Sequence, residues 1–286
     1  MDQIPYCFIE EVICRVTSEH SALKLKSPLW NEAIRVHNRK FQCVHLLLNF
    51  TAEGFKCRCS SFQFQPISKP WKSFKELLEL DHRFYQVATF SVIADKERMV
   101  DEPVVEVADV IKLLSRFHLE IANLNPARRF NKLEKSLANE LLKNEQTADT
   151  LIIGYSPNWI DYLKMYLKSE RSRRLHLNDW PPELHDDLLA FVCRPQFQKL
   201  QINNLCGFTP GDIKTIIEYW KKLEKPWKNA SFMVMVDTDW ALDFARWMTP
   251  LDGDPYEFVD YAGDLRVVVS CSNEQCAVEF DDGNDV

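Results

Sequence analysis

Glycine is scarce in this chain: seven occur in 286 residues. Loops that cradle phosphate need backbone unencumbered by side chains, and neither a G-x-G-x-x-G nor a G-x-x-x-x-G-K-[ST] stretch occurs, which argues against a nucleotide-dependent enzyme. Surplus positive charge is lacking as well. With 35 basic against 42 acidic residues the formal charge is −7, so no overall field favours polyanions and no nucleic-acid partner is expected. The densest basic groups, Arg171-Ser172-Arg173-Arg174 and Arg128-Arg129 with Lys132 and Lys135, read as solvated helix ends. No apolar run approaches the roughly eighteen residues of a membrane-spanning helix, and no charged stretch followed by an apolar one marks a secretory signal. The nine cysteines are an odd number without that extracellular context, so they are read as thiols in a reducing cytoplasm or nucleus.

Ligand sets for metals are missing too. Cys57-Arg58-Cys59 and Cys271 with Cys276 are the close cysteine pairs, and neither has the spacing of a zinc site. Alternation places Cys57 and Cys59 on one strand face, as small apolar core residues. The seven histidines are scattered and give no local support to a nucleophile–base pair. No cofactor and no metal are expected.

What is present is a large apolar fraction, 46% hydrophobic and 12% aromatic, ample for a packed core. Apolar runs over 41–50 and 55–67 are expected to pair as a hairpin across Thr51-Ala52-Glu53-Gly54. Helical spacing is read over Trp71–Leu80, Val104–Leu114 and Asn131–Lys143, the last polar enough for the surface, and a strand over Val87–Ile93. From about residue 148, short strands at 151–153, 175–178, 200–203 and 232–236 alternate with helices at 159–168, 182–192 and 209–223. Leu151 to Leu175 is 24 positions and Leu175 to Leu200 is 25, within the roughly 20 to 29 of leucine-rich repeats. An ordinary parallel α/β sheet gives almost the same spacing, and both readings stand here. Strand positions opposite the leucines, His176 and Gln201 with their neighbours, are the expected partner contacts on a repeat sheet. The chain is expected to close with a β-hairpin of Leu265–Cys271 and Cys276–Phe280 and a disordered acidic tail over 281–286.

The beginning is different in character. After Pro5, Phe8, Ile9, Val12, Ile13 and Val16 fall on one side of a helix of about three turns, with Glu10, Glu11 and Arg15 opposite. Leu23, Leu25, Leu29 and Trp30 then lead into a second amphipathic stretch, with Pro28 suited to its first turn. Two such helices cannot cover all this apolar surface by themselves.

These residues, Ile4-Pro5, Phe8-Ile9, Val12-Ile13, Leu23, Leu25 and Leu29-Trp30-Asn31-Glu32-Ala33-Ile34, resemble a divergent F-box, and the opening MDQIPYCFIEEVI resembles the nematode F-box-like proteins in particular. The resemblance covers about the first forty residues. It implies a helical module over 1–40 that binds a Skp-like adaptor of a cullin ubiquitin ligase through Pro5, Phe8, Ile9, Val12, Ile13, Leu23, Leu25, Leu29 and Trp30. It also implies an F-box-associated α/β region over 41–280 that holds an unidentified protein substrate. Val16-Thr17-Ser18 stands where the family has a second Leu-Pro, which leaves room for a free-standing regulator that recruits no ligase. The expected whole is a mixed α/β, non-enzymatic adaptor.

One enzyme-like motif competes. Met235-Val236-Asp237-Thr238-Asp239 could end a strand with a nucleophilic and an acid/base carboxylate, as in a phosphohydrolase of the haloacid-dehalogenase type. Fewer than fifty residues follow, too few for that fold's remaining parts, and a helix cap is the plainer role for these carboxylates.

Overall fold

The computed structural model describes residues 28–40, 42–62, 74–79, 85–94, 102–116, 119–205, 207–223, 230–235, 240–250, 256–262, 265–272 and 275–281. The chain divides into two compact units, Met1–Glu120 and Ile121–Val286. Both mix helices with strands, so the chain is of the mixed α/β class.

In the first unit, helix α1 (Pro28–Lys40) starts on the proline suited to a first turn. Strands β1 (Gln42–Thr51) and β2 (Gly54–Phe62) form the expected hairpin, with Thr51 opposite Gly54. Gly54 takes φ +136°, open to glycine, and a Cβ there would come within 3.0 Å of Val104. Val44, Leu46, Leu48 and Phe50 are buried on one face of β1, and Cys57 and Cys59 are buried together on β2. Helix α2 (Phe74–Leu78) falls within the expected 71–80, of which residues 71–73 and 80 lie outside the described residues. Strand β3 (Tyr85–Ile93) then pairs parallel to β1. The helix read from Val104 begins only at Val107: Val104–Val105 is a two-residue strand, β4, drawn into pairing with Phe55 and Lys56 of β2, and α3 (Val107–Leu114) follows.

The second unit is built on a row of parallel strands. Strand β5 (Leu119–Leu124) starts at the last residues of the first unit, and was not legible as a strand. After it come α4 (Asn131–Lys143), β6 (Thr150–Gly154), α5 (Ile160–Lys168), β7 (Arg174–Asn178), α6 (His185–Val192), β8 (Lys199–Leu205), α7 (Pro210–Lys221) and β9 (Ala230–Met235). Each strand lies parallel and adjacent to the one before. Right-handed crossovers that always step to the next neighbour leave every helix on the same side. Consistently, α4, α5, α6 and α7 touch in sequence.

Burial follows the same logic. Ala122, Leu151, Leu175, Leu200 and Phe232 stand side by side in register, and so do Leu124, Ile153, Leu177, Ile202 and Val234; all are buried. Each fully buried aliphatic or aromatic side chain of this size contributes roughly 1.5–3 kcal/mol, so these rows are the spine of the unit. The intervening residues on β7 and β8 are polar and half-exposed or exposed. A doubly covered parallel sheet carries continuous apolar strands; on β7 and β8 apolar and polar residues alternate instead, as on a sheet with one face open. Helix α4, expected on the surface, buries Leu137, Ala138 and Leu141 and even Glu134, whose Oε2 accepts the Ala127 N–H at 2.9 Å.

The row is completed by α8 (Ala241–Phe244) and antiparallel strands β10 (Thr249–Pro250), β11 (Glu257–Ala262), β12 (Leu265–Cys271) and β13 (Gln275–Asp281). The expected terminal hairpin is β12–β13, and β13 lies against β9. Beyond Asp281, the expected disordered tail lies outside the described residues. The sheet order in this unit is β10-β11-β12-β13-β9-β8-β7-β6-β5. Helix α7 ties both parts together: Thr209 and Asp212 form a reciprocal cap at its start, the Trp220 ring meets Phe280 at 5.0 Å, and Lys221 pairs with Asp260 of β11. Trp220 is fully buried, so Trp220→Ala is expected to lower the unfolding free energy by about 3–5 kcal/mol, measured by urea denaturation.

Candidate interaction surfaces

Most of the predicted Skp-binding residues, Pro5, Phe8, Ile9, Val12, Ile13, Leu23 and Leu25, lie outside the described residues. Leu29 and Trp30 lie on the first turn of α1. They pack against Ala33 and Ile34, which are buried in the folded chain, and themselves stay half-exposed. The Trp30 indole Nε1 is shielded from solvent yet finds no hydrogen-bond acceptor among the described residues. A buried indole N–H normally has a partner. Part of the apolar surface of this helix is therefore used internally, and part is left open.

The outward positions predicted from alternation do share one surface. On β7, β8 and β9 the side of the sheet away from the helices carries Arg174, His176 and Asn178, then Lys199, Gln201 and Asn203, then Ser231, Met233 and Met235. Register sorts them into rows across the strands. Arg174, Lys199 and Ser231 form the first, and His176, Gln201 and Met233 the second. Beyond these, Asn203 Nδ2 donates to Asn178 Oδ1 at 2.6 Å and Gln201 Nε2 donates to Asn203 Oδ1 at 3.1 Å, so the amides form a short ladder. Every one of these nine side chains is half-exposed or exposed. Partial burial, and next the Lys199 charge, hold the His176 pKa below its ordinary value, so the imidazole is neutral at pH 7 and the first row carries the charge.

Other chemistry in the chain is structural where it is described. Asp237 and Asp239, the phosphohydrolase alternative, lie outside the described residues. The Cys57 and Cys59 sulfurs are 4.0 Å apart and those of Cys271 and Cys276 are 3.8 Å apart, all buried. Their mutual hydrogen bonds and burial push the Cys57 and Cys276 thiols well above their ordinary pKa, the opposite of an activated nucleophile. Among the described residues no group of three or more His, Cys, Asp or Glu side chains is placed to hold a metal ion. No helix among them is long and apolar enough to cross a membrane.

Sequence reading missed one polar cluster. His185, at the start of α6, has Nδ1 at 3.0 Å from Asp186 Oδ1 and Nε2 at 3.3 Å from Asp212 Oδ2, the carboxylate that also caps α7. Its ring lies 5.0 Å from that of Phe208. The separation of 27 positions between His185 and Asp212 hid the contact, which exists because β8 brings the two helix starts together.

Comparison with protein-family models, with curated proteins and with solved structures returned no match to this chain.

Burial works against a charged His185, but Asp186 and Asp212 together outweigh it through hydrogen bonding and charge and raise its pKa above the ordinary value near 6.5. A group protonated more readily when folded adds stability that is fully present below its unfolded pKa and fades as pH rises through the folded one. Wild type should therefore exceed His185→Gln in melting temperature at pH 5.5 and lose that margin by pH 9, as read by thermal unfolding at several pH values.

Proposed function

We propose that this chain is a non-enzymatic, intracellular adaptor in which an F-box-like N-terminal segment binds a Skp-type protein of a cullin ubiquitin ligase and the one-sided sheet holds a protein substrate. The observation that carries the reading is the platform on β7–β9. A parallel sheet that leaves one face uncovered, and lines it with Arg, His, Gln, Asn and Lys, offers a broad, fixed contact area without a catalytic constellation. The N-terminal half of the proposal rests on the F-box-like residues and on Leu29 and Trp30, which stay half-exposed at the start of α1. Large rigid rings at such positions concentrate binding energy in protein interfaces.

Co-purification with a recombinant Skp protein tests the ligase half. The unmodified chain should capture it, and Pro5→Asp with Ile9→Asp should reduce capture at least tenfold while leaving thermal unfolding of the second unit unchanged. Absence of capture by the unmodified chain would remove ligase recruitment and leave a free-standing interaction protein.

A further inference from the structure

We propose that the N-terminal edge of the β7–β8 platform binds an acidic, extended segment of a partner protein. This deepens the adaptor reading by naming the chemistry of what the platform holds.

The edge is a local exception in an acidic chain. Arg174 and Lys199 are neighbours in register on the open face, and Arg171 and Arg173 stand exposed in the loop that leads into β7. Among the described residues no carboxylate forms an ion pair with any of the four. Neighbouring strands are about 4.8 Å apart, so uncompensated like charges on β7 and β8 repel one another, and an anion that bridges them relieves the repulsion.

The loop that presents these cations is fixed in place. Arg173 and Arg174 N–H groups donate to the Asp149 carbonyl at 3.2 and 3.1 Å, and the Arg173 carbonyl accepts from Gln198 and Lys199 at 3.0 and 3.1 Å. The Tyr166 hydroxyl lies 2.7 Å from the Arg174 carbonyl, Ser172 Oγ donates to the Tyr166 carbonyl at 2.6 Å, and Arg194 Nη1 donates to the Ser169 carbonyl at 3.1 Å. Ser172 is wholly buried between exposed arginines. A surface loop with only a solvating role has no need of such anchoring, whereas a preordered contact set lowers the entropy lost on binding.

The rest of the platform selects the class of anion. The one ring among the outward residues of β7, β8 and β9 is the His176 imidazole, so successive nucleic-acid bases have no run of rings to stack on. The cations are confined to one edge, and with a chain charge of −7 a long polyanion would be repelled beyond it. A short acidic run suits this distribution. Its carboxylates face Arg174 and Lys199, an apolar side chain can lie on Met233, and its backbone amides can meet His176, Gln201 and the Asn178–Asn203 pair.

The test is a titration of the full chain with fluorescein-labelled (Glu-Leu)4 peptide, read by anisotropy, beside (Lys-Leu)4 and a twelve-nucleotide single-stranded RNA. Binding of (Glu-Leu)4 alone, weakened at least tenfold by Arg174→Glu with Lys199→Glu and strengthened severalfold by Glu279→Lys, is the expected result. Glu279 is exposed and two strands from Lys199 in the same row, so its reversal lengthens the basic row without touching the core. No binding of (Glu-Leu)4, equal binding by the double variant with unchanged melting temperature, or preference for RNA would each overturn the proposal. So would peptide binding that emerges only after Asp282→Asn and Asp285→Asn, which would assign the edge to the chain's own acidic residues. Skp capture is scored separately: a chain that binds the peptide but no Skp protein keeps this inference and loses the ligase reading.

Discussion

The second unit depends on strand adjacency. Because β5, β6, β7, β8 and β9 pair in the order in which they are made, each backbone ladder is completed by the next repeat of strand and helix. The right-handed crossover then puts every helix on the same side. Two in-register rows of leucine, isoleucine, phenylalanine and valine are the chemical counterpart of that geometry. Moving any one strand by a single residue would send its leucines to the open side and its amides into the helices, so register and burial enforce one another.

What is left over on the other side is a surface whose shape is set by the sheet and whose chemistry can vary without disturbing the core. His176, Gln201, Lys199 and Arg174 contribute little to the buried rows beside them. In α1 the division is less clean, because Ala33 and Ile34 are consumed internally while Trp30 keeps a shielded N–H that finds no acceptor among the described residues. An indole in that state is unfinished in hydrogen-bonding terms, and a partner or a rearranged neighbouring segment would complete it.

Legibility of the fold tracked how local the signal is. Strands β6 to β9 and helices α5 to α7 were readable because leucines recur at a spacing close to 25 and alternate with polar residues within each strand. Strand β5 was not, since Leu119-Glu120-Ile121-Ala122-Asn123-Leu124 carries no clean alternation and becomes a strand through its parallel pairing with β6. Strand β11 carries Glu257, Asp260 and Tyr261, and becomes a strand through its antiparallel pairing with β12. The polar positions of the platform were legible from alternation alone. The basic edge was not: Arg171 to Arg174 resemble any solvated helix end until Lys199, 25 positions later, is laid beside Arg174. The same holds for His185 and Asp212, which only the stacking of successive repeats brings together.

The β10 border of this sheet bears on self-association. Beyond β11 the last strand, β10, is two residues long and ends in Pro250, which has no amide hydrogen to offer. A longer, unbroken border would template another chain and nucleate fibres. Among the described residues β10 adds only Thr249 and Pro250 to this border, so this strand offers another copy of the chain very little backbone on which to polymerise.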